Sequence, residues 1–209
     1  MVNLLIVLFG LTLIYFALSE RVNNYIYLLG IQGVLLFVVA FYNLKDINIA
    51  GLIFILLETI VVKAVLIPYF LNKVRRHNNL KRVHENLIPG FYSVLIIVLF
   101  IVISFLIGNK LEIKSIQTKF FSISIAALLS GLFFIIIHKN VFSHLIGYLI
   151  IENGMFLLSL AVGNEVPVLV SLAILADIFI GILVIGIFLN KVGDVFQSIN
   201  IDELSQLKN

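Results

Sequence analysis

The chain has 209 residues, with 14 Lys and Arg against 11 Asp and Glu; 62% of it is hydrophobic and only 12% charged. Soluble domains average about 45–50% apolar and about 25% charged residues, so a mean hydropathy of +1.18 excludes a soluble globular domain. Apolar runs of about 18 residues or more exclude a β-barrel, whose strands would alternate, and the absence of cysteine excludes disulfides, Cys-ligated clusters and thiol chemistry within the chain.

Seven membrane-spanning helices are predicted, giving an all-α polytopic membrane protein. The first covers about 2–19. It has no basic n-region and no A-x-A cleavage site, so it reads as a retained helix and not as a signal peptide. The second covers 25–43, and the third, 47–72, contains Glu58, Lys63 and Pro68. A long connection follows, NKVRRHNNLKRVHENLIPG, with Lys73, Arg75, Arg76, Lys81 and Arg82. The remaining spans are 91–108, 118–138, 141–163 and 166–189. The tail, DVFQSINIDELSQLKN, is polar and mildly amphipathic; it either docks on a neighbouring subunit or ends in solvent.

Placing the basic connection in the cytoplasm puts Arg21, Lys139, Lys191 and Lys208 on the same side and only Lys45, Lys110, Lys114 and Lys119 opposite. The positive-inside rule supports that arrangement, with the N-terminus outside and the C-terminus cytoplasmic in the plasma membrane. The positive excess therefore has a membrane explanation, and no nucleic-acid partner is expected. His77, His84, His138 and His144 form no i, i+4 pair, so neither haem nor metal is expected.

Four ionisable residues fall inside the spans: Glu58, Lys63, Glu152 and Asp177. Each costs about 2.5–3.5 kcal/mol on insertion scales. At about 1.5 Å of rise per residue, the three carboxylates all lie roughly 15 Å deep, near the middle of a core about 30 Å thick. An interhelical hydrogen bond returns only about 0.6–2 kcal/mol, and Asn or Gln would form it as well. A carboxyl group adds the ability to titrate, which points to a proton or cation relay for Glu152 and Asp177. Glu58 and Lys63, five residues apart, would stand about 140° apart on an α-helix, so each is expected to face a different partner. His144, Tyr148 and Glu152 recur at i, i+4, i+8, with Asn153 next. They read either as a half-channel stripe or as an interfacial histidine and a packing aromatic near an acid. Pro68 removes a helix hydrogen bond near Ala64, beside Lys63.

The segments HKNVFSHLIGYLIIENGMFLL, LAILADIFIGILVIGIFLNKV and NIDELSQL resemble the second helix, third helix and tail of the small K subunit of respiratory complex I. The C subunit of multisubunit sodium/proton antiporters is similar. Over the whole length, TIVVKAVLIPYFL and ILADIFIGILVIGIF resemble component E of hydrogenase-four-type membrane complexes, a longer relative. The complex I glutamate falls at Leu149 here, with Glu152 three residues later on nearly the same face.

The resemblance implies a four-helix extension over 1–114, a K-like three-helix unit over 115–192 and a polar tail over 193–209. It also implies a non-catalytic, cofactor-free membrane-arm subunit of a complex I-related hydrogenase or similar oxidoreductase. Asp177, Glu152, Glu58 and Lys63 would carry H⁺ or Na⁺, supported by His144, Tyr148 and Asn153, between antiporter-like neighbours in the lipid bilayer. The alternatives are a structural adapter that bridges those neighbours without carrying ions, an antiporter C-type subunit, and a self-standing small transporter. The last lacks the pair of Gly- or Pro-broken helices that a substrate site would use.

FLNKV occurs at 70–74 and 188–192, and YLLGIQGVLLFVVAFYN can be laid on HLIGYLIIENGMFLLSL. This suggests a parallel repeat of three helices on each side of the fourth, with 1–74 a decayed copy and Gln32 at the complex I glutamate position.

Overall fold

A computed structural model describes residues 2–43, 49–77, 88–110 and 117–162, together with Gly186. The chain divides into two units, Met1–Ser171 and Leu172–Asn209. Gly186, in a helical conformation, is the described residue of the second. The rest of the seventh predicted span, with Asp177, and the tail lie outside the described residues.

The described residues are all-helical apart from short connections. α1 is Val2–Leu18, α2 Val22–Asn43 and α3 Ile49–Leu56; a π-helix, Leu57–Leu66, runs on into α4, Ile67–His77. α5 is Gly90–Lys110, α6 Thr118–Ile137 and α7 Val141–Val162. Among the described residues, four helices are long and apolar enough to cross a membrane: Val22–Tyr42, Gly90–Lys110, Thr118–Ile137 and Phe142–Val162; Asn3–Leu18 is apolar but shorter. Along α5 the side chains of Phe91, Leu95, Val102 and Leu106 are about half exposed or more, a surface suited to a bilayer.

The third predicted span is not a single α-helix. Ten residues, LETIVVKAVL, form the π-helix, and the Ile67 N–H donates to the Val62 carbonyl five residues back. Thr59, Ile60, Val61 and Val62 are four β-branched residues in a row, the side chains that crowd an α-helical turn most. Pro68, just after the π-helix, has no N–H with which to add another rung.

The helix ends gather as alternation requires. The α1–α2 and α6–α7 connections each contribute an isolated bridge residue, Arg21 and His138. Around them Phe16 stacks on Tyr25, Tyr25 meets Phe134 edge-on, and the Phe134 and His138 rings lie 4.0 Å apart. The Tyr25 hydroxyl donates to the Ser19 carbonyl. At the opposite end the Lys119 Nζ donates to Asn3 at 2.8 Å, and the Gln117 N–H donates to the Ala161 carbonyl at 3.0 Å.

α6 and α7 touch backbone to backbone. A Cβ on Gly131 would stand 2.7 Å from the Gly147 carbonyl oxygen, and one on Gly147 would stand 2.9 Å from the Gly131 carbonyl oxygen. One on Gly154 would stand 3.0 Å from Ala127 Cβ. Small residues at a helix interface permit this approach where lipid tails remove the usual apolar driving force. Ser122, Ser124 and Ser130 return their hydroxyls to carbonyls three or four residues back, so α6 buries them without orphaned donors.

Candidate functional site

Gly33 fixes how α2 meets the π-helix. A Cβ there would lie 2.8 Å from the Ala64 backbone nitrogen and 3.0 Å from the Lys63 carbonyl carbon. This close approach sets Gln32, the preceding residue, beside the π-helix and against α7. Gln32 is fully buried and donates to the Thr12 hydroxyl at 2.9 Å, while its carbonyl oxygen accepts from the Asn153 amide at 2.9 Å. The Thr12 hydroxyl in turn donates to the Phe9 carbonyl at 2.7 Å. A neutral chain thus ties α1, α2 and α7 together.

Beside that chain lies a charged cluster. Lys63 Nζ is 2.6 Å from Glu152 Oε1 and 3.9 Å from Glu58 Oε1. It also stands 4.6 Å above the Phe156 ring, one turn beyond Glu152, within cation–π range. Glu58 is fully buried, Lys63 2% exposed and Glu152 6% exposed. Glu152 Oε2 and both oxygens of Glu58 have no hydrogen-bond partner among the described residues. A cavity of about 10 Å³ adjoins Lys63 and Glu152, lined also by Leu29, Ile67, Leu149 and Asn153. That is close to the smallest volume that admits one water.

Lys63 makes its close contact with Glu152 of α7, a partner other than Glu58 as expected, but Glu58 also stands within ion-pair reach of it. The 140° separation holds for an α-helix. In a π-helix the hydrogen-bonded step is five residues, so positions five apart stack near one face. Lys63 therefore bridges two carboxylates, one from its own helix and one from α7. With all three groups ionised the cluster carries one net negative charge; one proton or one monovalent cation balances it.

The other predicted residues are distributed as follows. Asn153 joins the neutral chain. The His144 Nε2–H donates to the His138 carbonyl at 2.6 Å and closes the α6–α7 connection. Tyr148 is 38% exposed, so the His144–Tyr148–Glu152 stripe passes from the connection, over a partly exposed face, to a buried acid. Asp177 lies outside the described residues. Leu149 is buried and lines the small cavity. Reasoning from the sequence missed Thr12 and Phe156 and saw in Gln32 only a repeat position. The signal for Gln32 was its carboxamide in an otherwise apolar run, YLLGIQGVLLFVV.

His138 is the further buried titratable group. Its Nδ1–H donates to the Phe134 carbonyl at 2.7 Å, which leaves Nε2 bare, buried and without a partner among the described residues. Burial pushes the imidazole below its ordinary range; the Phe134 carbonyl opposes this, and nearby His144 adds to it.

Comparison with protein-family models, with curated proteins and with solved structures finds no match for this chain.

Proposed function

We propose that the chain is a membrane-arm subunit of a complex I-related hydrogenase or similar respiratory assembly. In this reading its buried carboxylates belong to a midplane path for H⁺ or Na⁺, and the chain carries out no redox chemistry itself. The supporting observation is the Glu58–Lys63–Glu152 cluster: three ionisable groups from two helices, buried, one positive charge short of balance, with carboxylate oxygens left without a hydrogen-bond donor among the described residues. A purely structural tie needs neither the extra carboxylate nor its unpartnered oxygens, whereas a site that takes up and passes on a cation needs both. The composition supports a multispan chain, and the resemblance of 172–192 to a K-like third helix adds Asp177 to the path as its acid in the seventh span. Lys63 moves between carboxylates as the cation arrives and leaves, and antiporter-like neighbours supply the continuation.

The test is Glu152→Gln and Asp177→Asn in the complex assembled in membranes. Coupled ion transport falls at least tenfold while the subunits still co-purify. Normal pumping by both variants ends the relay reading.

A specific observation favours a second reading, a structural adapter. The Thr12–Gln32–Asn153 chain is neutral and ties three helices directly beside the ion cluster. If that is the site's business, neutralising Glu152 abolishes co-purification instead of transport. Identifying the co-purifying subunits separates a hydrogenase arm from a sodium/proton antiporter.

A further inference from the structure

Two apolar grooves flank the outer face of α2. One, about 400 Å³, lies between α1 and α2. The other, about 460 Å³, lies between α2 and the run from the π-helix into α4; Tyr27, Gly30, Val34, Ala64, Pro68 and Asn72 line it. Both volumes are in the range of ligand sites. Ile31 and Leu35 line both grooves and so form the ridge between them.

The second groove has an apolar floor and a polar mouth. Gly30 has no side chain to fill it; a Cβ there would meet the Ala64 carbonyl oxygen at 3.4 Å and the Pro68 ring at 3.6 Å, which is ordinary contact. From Tyr27 to Leu35 the rise is about 12 Å, close to the depth of one leaflet of acyl chain. Ala64, Pro68 and Asn72 line the groove four residues apart, and Arg76 follows one helical turn beyond Asn72, with Arg75 beside it in sequence. Arg76 is exposed, and the Arg75 Nε is buried without a hydrogen-bond partner among the described residues. α4, IPYFLNKVRRH, carries no acid. Tyr27, 66% exposed, stands at the same level, where tyrosines favour the headgroup zone.

We propose that the outer face of α2 is a binding site for one two-chain anionic phospholipid, its tails divided by the Ile31–Leu35 ridge and its phosphate held by Arg75, Arg76 and Asn72. Two grooves on either side of one ridge suit a pair of flexible chains; a partner helix, about 10–12 Å across, is too wide to enter both. Guanidinium groups one turn beyond the groove favour a headgroup of net negative charge, whose phosphate has no ammonium of its own to neutralise it. The site is independent of the ion path and stands or falls separately from it.

The experiment uses the full-length chain in mild detergent, with lipid retention read by native mass spectrometry. The probes are dioleoylphosphatidylglycerol and dioleoylphosphatidylcholine, which share their tails and differ in net charge. Phosphatidylglycerol is retained at least tenfold better. Arg75→Gln with Arg76→Gln lowers its retention about fivefold for each charge removed, towards the phosphatidylcholine level. Gly30→Leu fills the groove and lowers retention of both lipids; Val34→Trp, placed at a site already 46% exposed, does the same if Gly30→Leu perturbs folding. Equal retention of the two lipids, or undiminished phosphatidylglycerol binding in the arginine variant or in a folded groove-filling variant, overturns the proposal.

Discussion

Replacing Lys63 with Met leaves the hydrocarbon stem against Phe156 and removes only the charge. Glu58 and Glu152 then face each other's surroundings with no cation, both buried. Removing one member of a buried ion pair costs about 3–5 kcal/mol, because the remaining charge is uncompensated. For a chain of this size that corresponds to a fall of about 6–20 °C in melting temperature. The distances order the single variants. Coulomb attraction falls with separation, so Glu152 at 2.6 Å holds Lys63 about one and a half times as strongly as Glu58 at 3.9 Å. Glu152→Leu therefore costs more than Glu58→Leu, and both cost less than Lys63→Met, since each leaves the ammonium one carboxylate. The double variant Lys63→Met/Glu152→Leu recovers much of the loss, because an apolar pair of similar volume often matches or exceeds a buried ion pair. The assay is thermal unfolding in detergent micelles, followed by circular dichroism, analysed as a double-mutant cycle. A Lys63→Met melting temperature within about 1 °C of wild type, or a coupling near zero between Lys63 and Glu152, refutes the reasoning.

Gly131→Val and Gly147→Val drive α6 and α7 apart and cost about 1–3 kcal/mol or more. Gly10→Ala, whose new Cβ meets only Ile123 Cδ1 at 3.5 Å, stays within about 1 kcal/mol, so similar effects at the three sites would contradict the contact geometry. Gln32→Leu leaves the buried Asn153 amide without its acceptor and costs about 1–3 kcal/mol, read by the same unfolding assay; an unchanged midpoint would show the chain to be dispensable. His138 is lowered by burial, so below its ordinary value near 6.5 the unfolded state binds the proton more readily and stability falls with pH. The melting temperature should therefore drop between pH 7.5 and 5.5, and His138→Phe should flatten that drop; an equal drop in the variant counts against the assignment.

The helical, membrane-embedded character of the chain was legible because apolar length and composition dominate everything else in the sequence. The helices α1, α2, α5, α6 and α7 follow the predicted intervals to within a few residues. So does the meeting of the α1–α2 and α6–α7 connections at one end, which alternation alone requires. The buried positions of Glu58, Lys63 and Glu152 followed from cost: charges in apolar runs have to find partners. Their mutual geometry does not follow from the sequence, because a 140° separation belongs to an α-helix while Thr59–Val62 sit in a π-helix. A change of hydrogen-bonding step from four to five turns a divergent pair into neighbours, and β-branched crowding is only a weak local sign of it. Asn153 was read as an accessory to Glu152, although its amide is taken up by Gln32. Pairings across helices depend on rotation about each axis, and small-residue contacts such as Gly33 against Ala64 set that rotation.

The glycine contact between α6 and α7 has a mechanical consequence. Where main chain rests on main chain, no rotamer can yield, so the two helices move together or not at all. Glu152 rides on that stiff pair. Its counterion sits on the opposite side, at the end of a four-carbon stem, in a helix of unusual pitch. Any displacement that lengthens or shortens the Lys63–Glu152 contact is therefore borne by the π-helix and the lysine stem, with α6 and α7 serving as the fixed frame against which that stroke is measured.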